Sequence, residues 1–232
     1  MELQTKIQLV KYLETFITTT RRSRLEEVLQ NRTRKVVAVL ENIFQPQNAS
    51  AVVRTCDCLG IQDLYIIEKD NVYRVNPKIT LGSSQWVNLI RFSRYENNTH
   101  ACITSLREQQ YRIIGASPHQ ESFRLEELSL EGKLALLFGK EDVGLSADAL
   151  ARCDEFVKIP MYGFTESYNL SVSAAIVLSH VMMRIRTEQP EFWCLSEEEK
   201  IDLKLTWLRK MIRRHDLHEA EFFARGMREK NG

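Results

Sequence analysis

Between Ile7 and Leu29 the apolar positions follow helical spacing. Ile7, Leu9, Val10, Leu13, Phe16 and Ile17 form one stripe, and after a polar break Leu25, Val28 and Leu29 continue it. Three- and four-residue intervals put such positions on one helical face, so the chain opens with two helices. The period then changes. Val36 to Leu40 is a run of β-branched and aliphatic residues with no polar alternation, which suits a strand buried on both faces. Leu64–Ile67, Val87–Phe92, Arg112–Ala116, Leu134–Phe138 and Phe156–Ile159 have the same character. Helical patterns lie between them: Asn48–Leu59, with Asn48 or Ser50 near its cap and Gly60 past its end, then Thr99–Gln109 and Ala147–Cys153. Strands alternating with helices predict an α/β fold with a largely parallel sheet and helices on both faces.

After Asn169 a long apolar helix runs to about Thr187 and stops before Pro190. Ser196 and Glu199 have capping-box spacing and open a final helix carrying Ile201, Leu203, Leu205, Trp207, Leu208 and Ile212. The organisation this predicts is an N-terminal helical arm over residues 1–32, a core domain over 33–187, and a C-terminal helical extension over 188–232.

Composition narrows the class only a little. With 44% apolar residues, 232 positions are enough for one α/β core plus helical additions. No run approaches the roughly 18 apolar residues of a membrane span, and the charged N-terminus does not read as a secretory signal. Five scattered cysteines (Cys56, Cys58, Cys102, Cys153 and Cys194) form no ligand pairs and read as reduced thiols of a cytoplasmic protein. Net charge is only +1, yet the basic residues cluster. Arg21, Arg22, Arg24, Arg32, Arg34 and Lys35 lie near one end, and Lys204, Arg209, Lys210, Arg213 and Arg214 near the other. Each cluster alone suits a solvated helix face; together they permit a nucleic-acid partner.

In an open parallel sheet, ligands bind outside the carboxyl ends of the strands. Three such ends are polar or glycine-rich: Gln45 to Arg54, Leu137 to Ser146, and Ile159 to Ser173. Gly139 and Gly144 have P-loop spacing, but Leu145-Ser146 stands where a Lys-Ser/Thr pair is required. There is no GxGxxG after a strand and no GxSxG elbow. The five histidines (His100, His119, His180, His215 and His218) never combine with acidic or sulfur ligands at metal spacing, so no metal is expected.

Those three segments, in that order, resemble the SpoU-type RNA ribose 2'-O-methyltransferases over about residues 20–190. Asn48 and Arg54 resemble the first motif, Phe138-Gly139-Lys140-Glu141 with Gly144 the second, and Ile159-Pro160-Met161 with Ser167-Tyr168-Asn169 and Ser171-Val172-Ser173 the third. Each motif alone is weak; three in order at strand ends are specific. The resemblance implies a C-terminal trefoil knot, S-adenosylmethionine as methyl donor, and a homodimer through the knot region. It further implies that Ala116, Gly139, Ile159, Met161 and Tyr168 surround the donor, and that Asn48, Arg54, Glu141, Ser167 and Asn169 form the catalytic pocket. Within the family, the short helical ends resemble the enzymes that methylate a tRNA D-loop guanosine. The tRNA phosphates would then be met by Arg21, Arg22, Arg24 and Arg32. A ribosomal-RNA methyltransferase of the same family and a catalytically silent RNA-binding homologue remain alternatives.

Three positions depart from the family pattern: Gln47 replaces a usual histidine, Tyr168 a leucine and Ala116 a threonine. None of them removes a catalytic group. The family's proposal makes the arginine matching Arg54 the base, although a guanidinium holds its proton above pH ~12. Arg54 either steadies the substrate phosphate and incipient alkoxide, or accepts the proton after desolvation beside another cation. The apolar stripe of Leu170, Ala174, Ile176, Val177 and Val181 is explained by core packing or by the dimer interface that the resemblance implies.

Overall fold

A computed structural model describes residues 1–117, 122–191 and 193–230, with backbone alone at 226–230. His119 lies outside the described residues. The helix α1 spans Leu3–Leu13 and α2 spans Thr19–Gln30, the latter capped by Thr18, whose side chain accepts from the Arg21 amide. The αβ succession is then β1 (Val36–Glu41), α3 (Pro46–Leu59), β2 (Asp63–Ile67), the short α4 (Pro77–Thr80), β3 (Asn88–Phe92), α5 (Asn98–Glu108), β4 (Tyr111–Ala116), β5 (Phe123–Arg124) and β6 (Lys133–Phe138). It closes with α6 (Ala147–Arg152), β7 (Glu155–Lys158), α7 (Leu170–Glu188), α8 (Glu197–Met211) and α9 (His215–Lys230).

The sheet order is β3-β2-β1-β6-β4-β7-β5, and every adjacent pair is parallel. Alternate residues of the central strands feed two cores. Val36, Ala38, Leu40, Leu134, Leu136 and Phe138 meet Val52, Val53 and Cys56 of α3 and Ala174, Val177 and Val181 of α7. On the opposite face Val37, Val39, Ala135 and Leu137 meet Cys102, Ile103 and Leu106 of α5 and Ala149 of α6. This double burial is why those strands read as continuous apolar runs. Burial also pushes the Cys102 and Cys153 thiols up, the latter to about 12, so neither is a thiolate near neutral pH.

The chain divides into two compact units: Thr33–Trp193, and Met1–Arg32 together with Cys194–Gly232. In the second unit α1 packs against both α8 and α9, and α2 against α8. The residues before and after the sheet thus share one helical unit. Ser196 and Glu199 form the expected capping box on α8. The sequence pattern gives one final helix where the structure has two; among the described side chains of α9, residues 215–225, none is buried, so its apolar period is faint. The strand β5 and helix α4 are too short to leave a periodic signal.

Asn48 is not a helix cap. The cap of α3 is Gln45, followed by Pro46, whose missing N–H is tolerated in a first turn. Gly60 does terminate α3, in the left-handed region at φ 79°. Leu136 lies in the middle of the sheet at 0% exposure. Leu136→Ala should therefore cost about 2–5 kcal/mol in unfolding free energy, measured by urea titration with unchanged m-value.

Candidate active site

The carboxyl ends of β4, β6 and β7 are neighbours in the sheet, and a cavity of 330 Å³ opens just beyond them. That volume is within the roughly 300–1,000 Å³ typical of small-molecule sites. All five expected donor-contacting residues line it: Ala116 at the end of β4, Gly139 after β6, Ile159 and Met161 after β7, and Tyr168 before α7. Glu141 and Ser167 line it too, with Leu150, Val157 and Val177 supplying apolar wall.

The floor of the cavity is a closed loop. Lys140 N donates to Gly144 O at 2.9 Å, and Gly144 N donates back to Lys140 O at 2.8 Å. Gly144 permits the return with φ 71°. Gly139 permits it by having no side chain: a Cβ there would lie 2.1 Å from the Gly144 carbonyl carbon. Beside the loop, Lys140 pairs with Asp142 at 3.2 Å and holds that carboxyl below its usual range.

Three expected catalytic residues are joined by hydrogen bonds. Asn48 Nδ2 donates to Glu141 Oε1 at 2.8 Å, and Asn169 Nδ2 donates to Asn48 Oδ1 at 3.2 Å. Asn169 also caps α7, its Oδ1 accepting from Ser171 N at 2.9 Å. Glu141 accepts from Phe44 N and Gln45 N at 3.2 and 3.3 Å, so one carboxylate ties the 139–144 loop to the start of α3. The buried Asn48 is therefore a bridge between the second and third motifs.

Arg54 is not part of this chain. Six residues along α3 is about 9 Å and well over one turn from Asn48, which turns its side chain to another face. It is exposed and, with Ala175, Ile176 and Ser179 of α7, lines a separate groove of 630 Å³. Leu170, Ala174, Val177 and Val181 lie in the core, the core-packing explanation of the stripe, and Ile176 packs against them half-buried. The exposed large apolar positions of α7 are Val172 and Met183.

Among the expected RNA contacts, Arg21, Arg22 and Arg24 are exposed on α2. Arg22 pairs with the buried Glu14 at 3.2 Å and Arg24 with Glu27 at 2.7 Å. Arg32 is corrected: it is 1% exposed, with its guanidinium 5.2 Å from the Trp207 ring centroid in the same helical unit. A buried guanidinium on an indole face packs a core and presents nothing to a phosphate.

Residues 35–179 match the SpoU rRNA Methylase family. The chain belongs to that family. It is 44% identical, over 89% of its own length and 93% of the relative's, to a tRNA (guanosine(18)-2'-O)-methyltransferase of Borreliella burgdorferi. The Thermus thermophilus protein of the same name is 34% identical over 69% of this chain and 81% of the relative. Among solved structures, the A. aeolicus TrmH/SpoU tRNA modifying enzyme superposes with a TM-score of 0.75 at 27% identity, covering 84% of this chain and 98% of the other.

The cavity suits S-adenosylmethionine: apolar walls for an adenine, open backbone at a glycine loop, and a volume in range. Gly139→Ala should force Lys140 and Gly144 apart and abolish S-adenosylmethionine binding in calorimetry, while circular dichroism retains the α/β signature.

Proposed function

We propose that this chain transfers the methyl group of S-adenosylmethionine to the ribose 2'-hydroxyl of guanosine 18 in the tRNA D-loop. The observation that carries this is the hydrogen-bonded chain Asn169–Asn48–Glu141 beside the glycine-loop cavity. The identity to relatives named for that reaction supports the choice of substrate. When bound, S-adenosylmethionine supplies an electrophilic methyl group on a sulfonium.

The protein's own groups then have three tasks. Gly139, Ile159, Met161, Tyr168 and Ala116 hold the donor, and the apolar wall excludes water from it. Asn48, Glu141, Ser167 and Asn169 orient the ribose hydroxyl, which converts much of an entropic barrier into binding already completed. Arg54 steadies the substrate phosphate and the charge developing on the 2'-oxygen; a guanidinium does this without giving up its proton.

The same reading includes a C-terminal trefoil knot, a cytoplasmic location, and a homodimer seated on the groove between α3 and α7. A second copy covering Val172, Ile176 and Met183 would bring Arg54 into an RNA site that both subunits build. Arg21, Arg22 and Arg24, within the helical residues 1–32, would neutralise tRNA phosphates, so affinity falls steeply with salt. Residues 33–187 would carry the methyltransferase activity, with 188–232 as the C-terminal extension.

Labelled methyl transfer to unmodified tRNA, with ribosomal RNA fragments in parallel and nucleoside mapping, tests the assignment. The expected product is 2'-O-methylguanosine in the D-loop; label in ribosomal RNA alone would replace the substrate, and label in neither would remove the activity. Arg54→Ala should abolish turnover with donor affinity retained. Loss of donor binding in that folded variant would contradict the role given to Arg54.

A further inference from the structure

A second carboxylate acts on the same loop from the opposite side. Glu41, the last residue of β1, is 4% exposed, and both of its oxygens are engaged. Oε2 accepts from Ser146 N at 2.9 Å. Oε1 accepts from the Ser146 hydroxyl at 2.7 Å and from the Thr99 hydroxyl, itself nearly buried on α5, at 2.7 Å. Among the described residues no cation pairs with it. A buried carboxylate held by three neutral donors is costly to desolvate, and the packed core has no need of one.

Its position explains what it does. Ser146 immediately follows the loop that Gly139 and Gly144 close, and its side chain caps α6 by accepting from Ala149 N. Glu41 thus fixes the far end of the donor loop to β1. Glu141, from within the loop, reaches back to the amides of Phe44 and Gln45, just beyond the same strand. The two carboxylates run in opposite directions between the same two segments and tie the loop to β1 and to the start of α3.

We propose that Glu41 is a positioning residue for the methyl donor: it holds the 139–146 loop in its donor-binding conformation through Ser146, with Thr99 orienting the carboxylate. Glu41 does not line the donor cavity and touches neither reactant. The proposal rests on the reading of that cavity as the S-adenosylmethionine site.

Glutamine in place of Glu41 keeps the shape but turns an amide N–H toward a cluster of donors. The Ser146 and Thr99 hydroxyls can rotate to accept from that N–H while the amide oxygen keeps the Ser146 backbone N–H, so the contacts survive without the carboxylate's charge. Glu41→Gln should therefore weaken S-adenosylmethionine binding by on the order of tenfold, the worth of the charge assistance removed from the bonds that hold Ser146. Thr99→Val, which leaves the loop untouched, should weaken it less, and the double variant should fall short of the product of the two effects.

The experiment is calorimetric titration of S-adenosylmethionine into the unsubstituted chain, Glu41→Gln, Thr99→Val and the double variant. The same proteins are tested for tRNA binding at fixed salt and for thermal unfolding. Selective loss of donor affinity, with tRNA affinity unchanged, is the expected result. Donor affinity within twofold of the parent in both single variants would overturn the proposal. So would parallel loss of donor affinity, tRNA affinity and unfolding temperature, which marks a merely structural carboxylate. If Glu41→Gln does not fold, Thr99→Val alone decides between these results. Failure of the unsubstituted chain to bind the donor would instead overturn the reading of the cavity, and the positioning role with it.

Discussion

The backbone from Lys140 to Gly144 turns back on itself over Gly139 so closely that no side chain fits beneath it. The rest of the site depends on that approach. Were Gly139 any other residue, the reciprocal Lys140–Gly144 pair would open, Glu141 would lose its reach to Phe44, Gln45 and Asn48, and the cavity would lose its floor. A glycine is usually excused as turn chemistry. Gly144 fits that description through its positive φ, whereas Gly139 is required by contact distance.

The sheet makes the approach useful by placing it. Parallel strands all end on the same side, and the order β1-β6-β4-β7 seats β4 between β6 and β7 so that the ends of these three strands share one opening. Residues far apart in sequence meet there: Asn48 and Asn169 are linked by one hydrogen bond across 121 positions. Polar residues at this edge are mutually satisfied, which is the condition for keeping them buried. Glu41, Asn48 and Glu141 are ordered by neutral amides and hydroxyls, so their geometry is set by directional hydrogen bonds and depends little on ionic strength.

The helical unit follows a different logic. Its interior holds charged groups, with Glu14 buried against Lys204 and Arg22, and Arg32 against Trp207. Much of the basic character near the chain ends is therefore spent internally, which accounts for clustered arginines in a chain of net charge +1. Counting basic residues overstated the surface available for phosphate by at least Arg32.

The sequence by itself determined the central strands, because a strand buried on both faces must be apolar at every position, and it determined α3, α5 and α7 through their period, with Gly60 and Asn169 marking one end of α3 and of α7. The three motif segments were legible too, since polar residues at strand ends interrupt an otherwise apolar pattern. Only the tertiary structure decided what each side chain faces. Arg32 looked like its exposed neighbours until packing buried it. Arg54 lay six positions from Asn48 but turned to another groove, and the α7 stripe went to the core. Glu41 read as the polar end of a strand, because nothing local marks a carboxylate whose partners lie 58 and 105 residues away. Periodicity records which face of an element is buried; hydrogen-bond partners across the sheet are set by strand order, which no local pattern encodes.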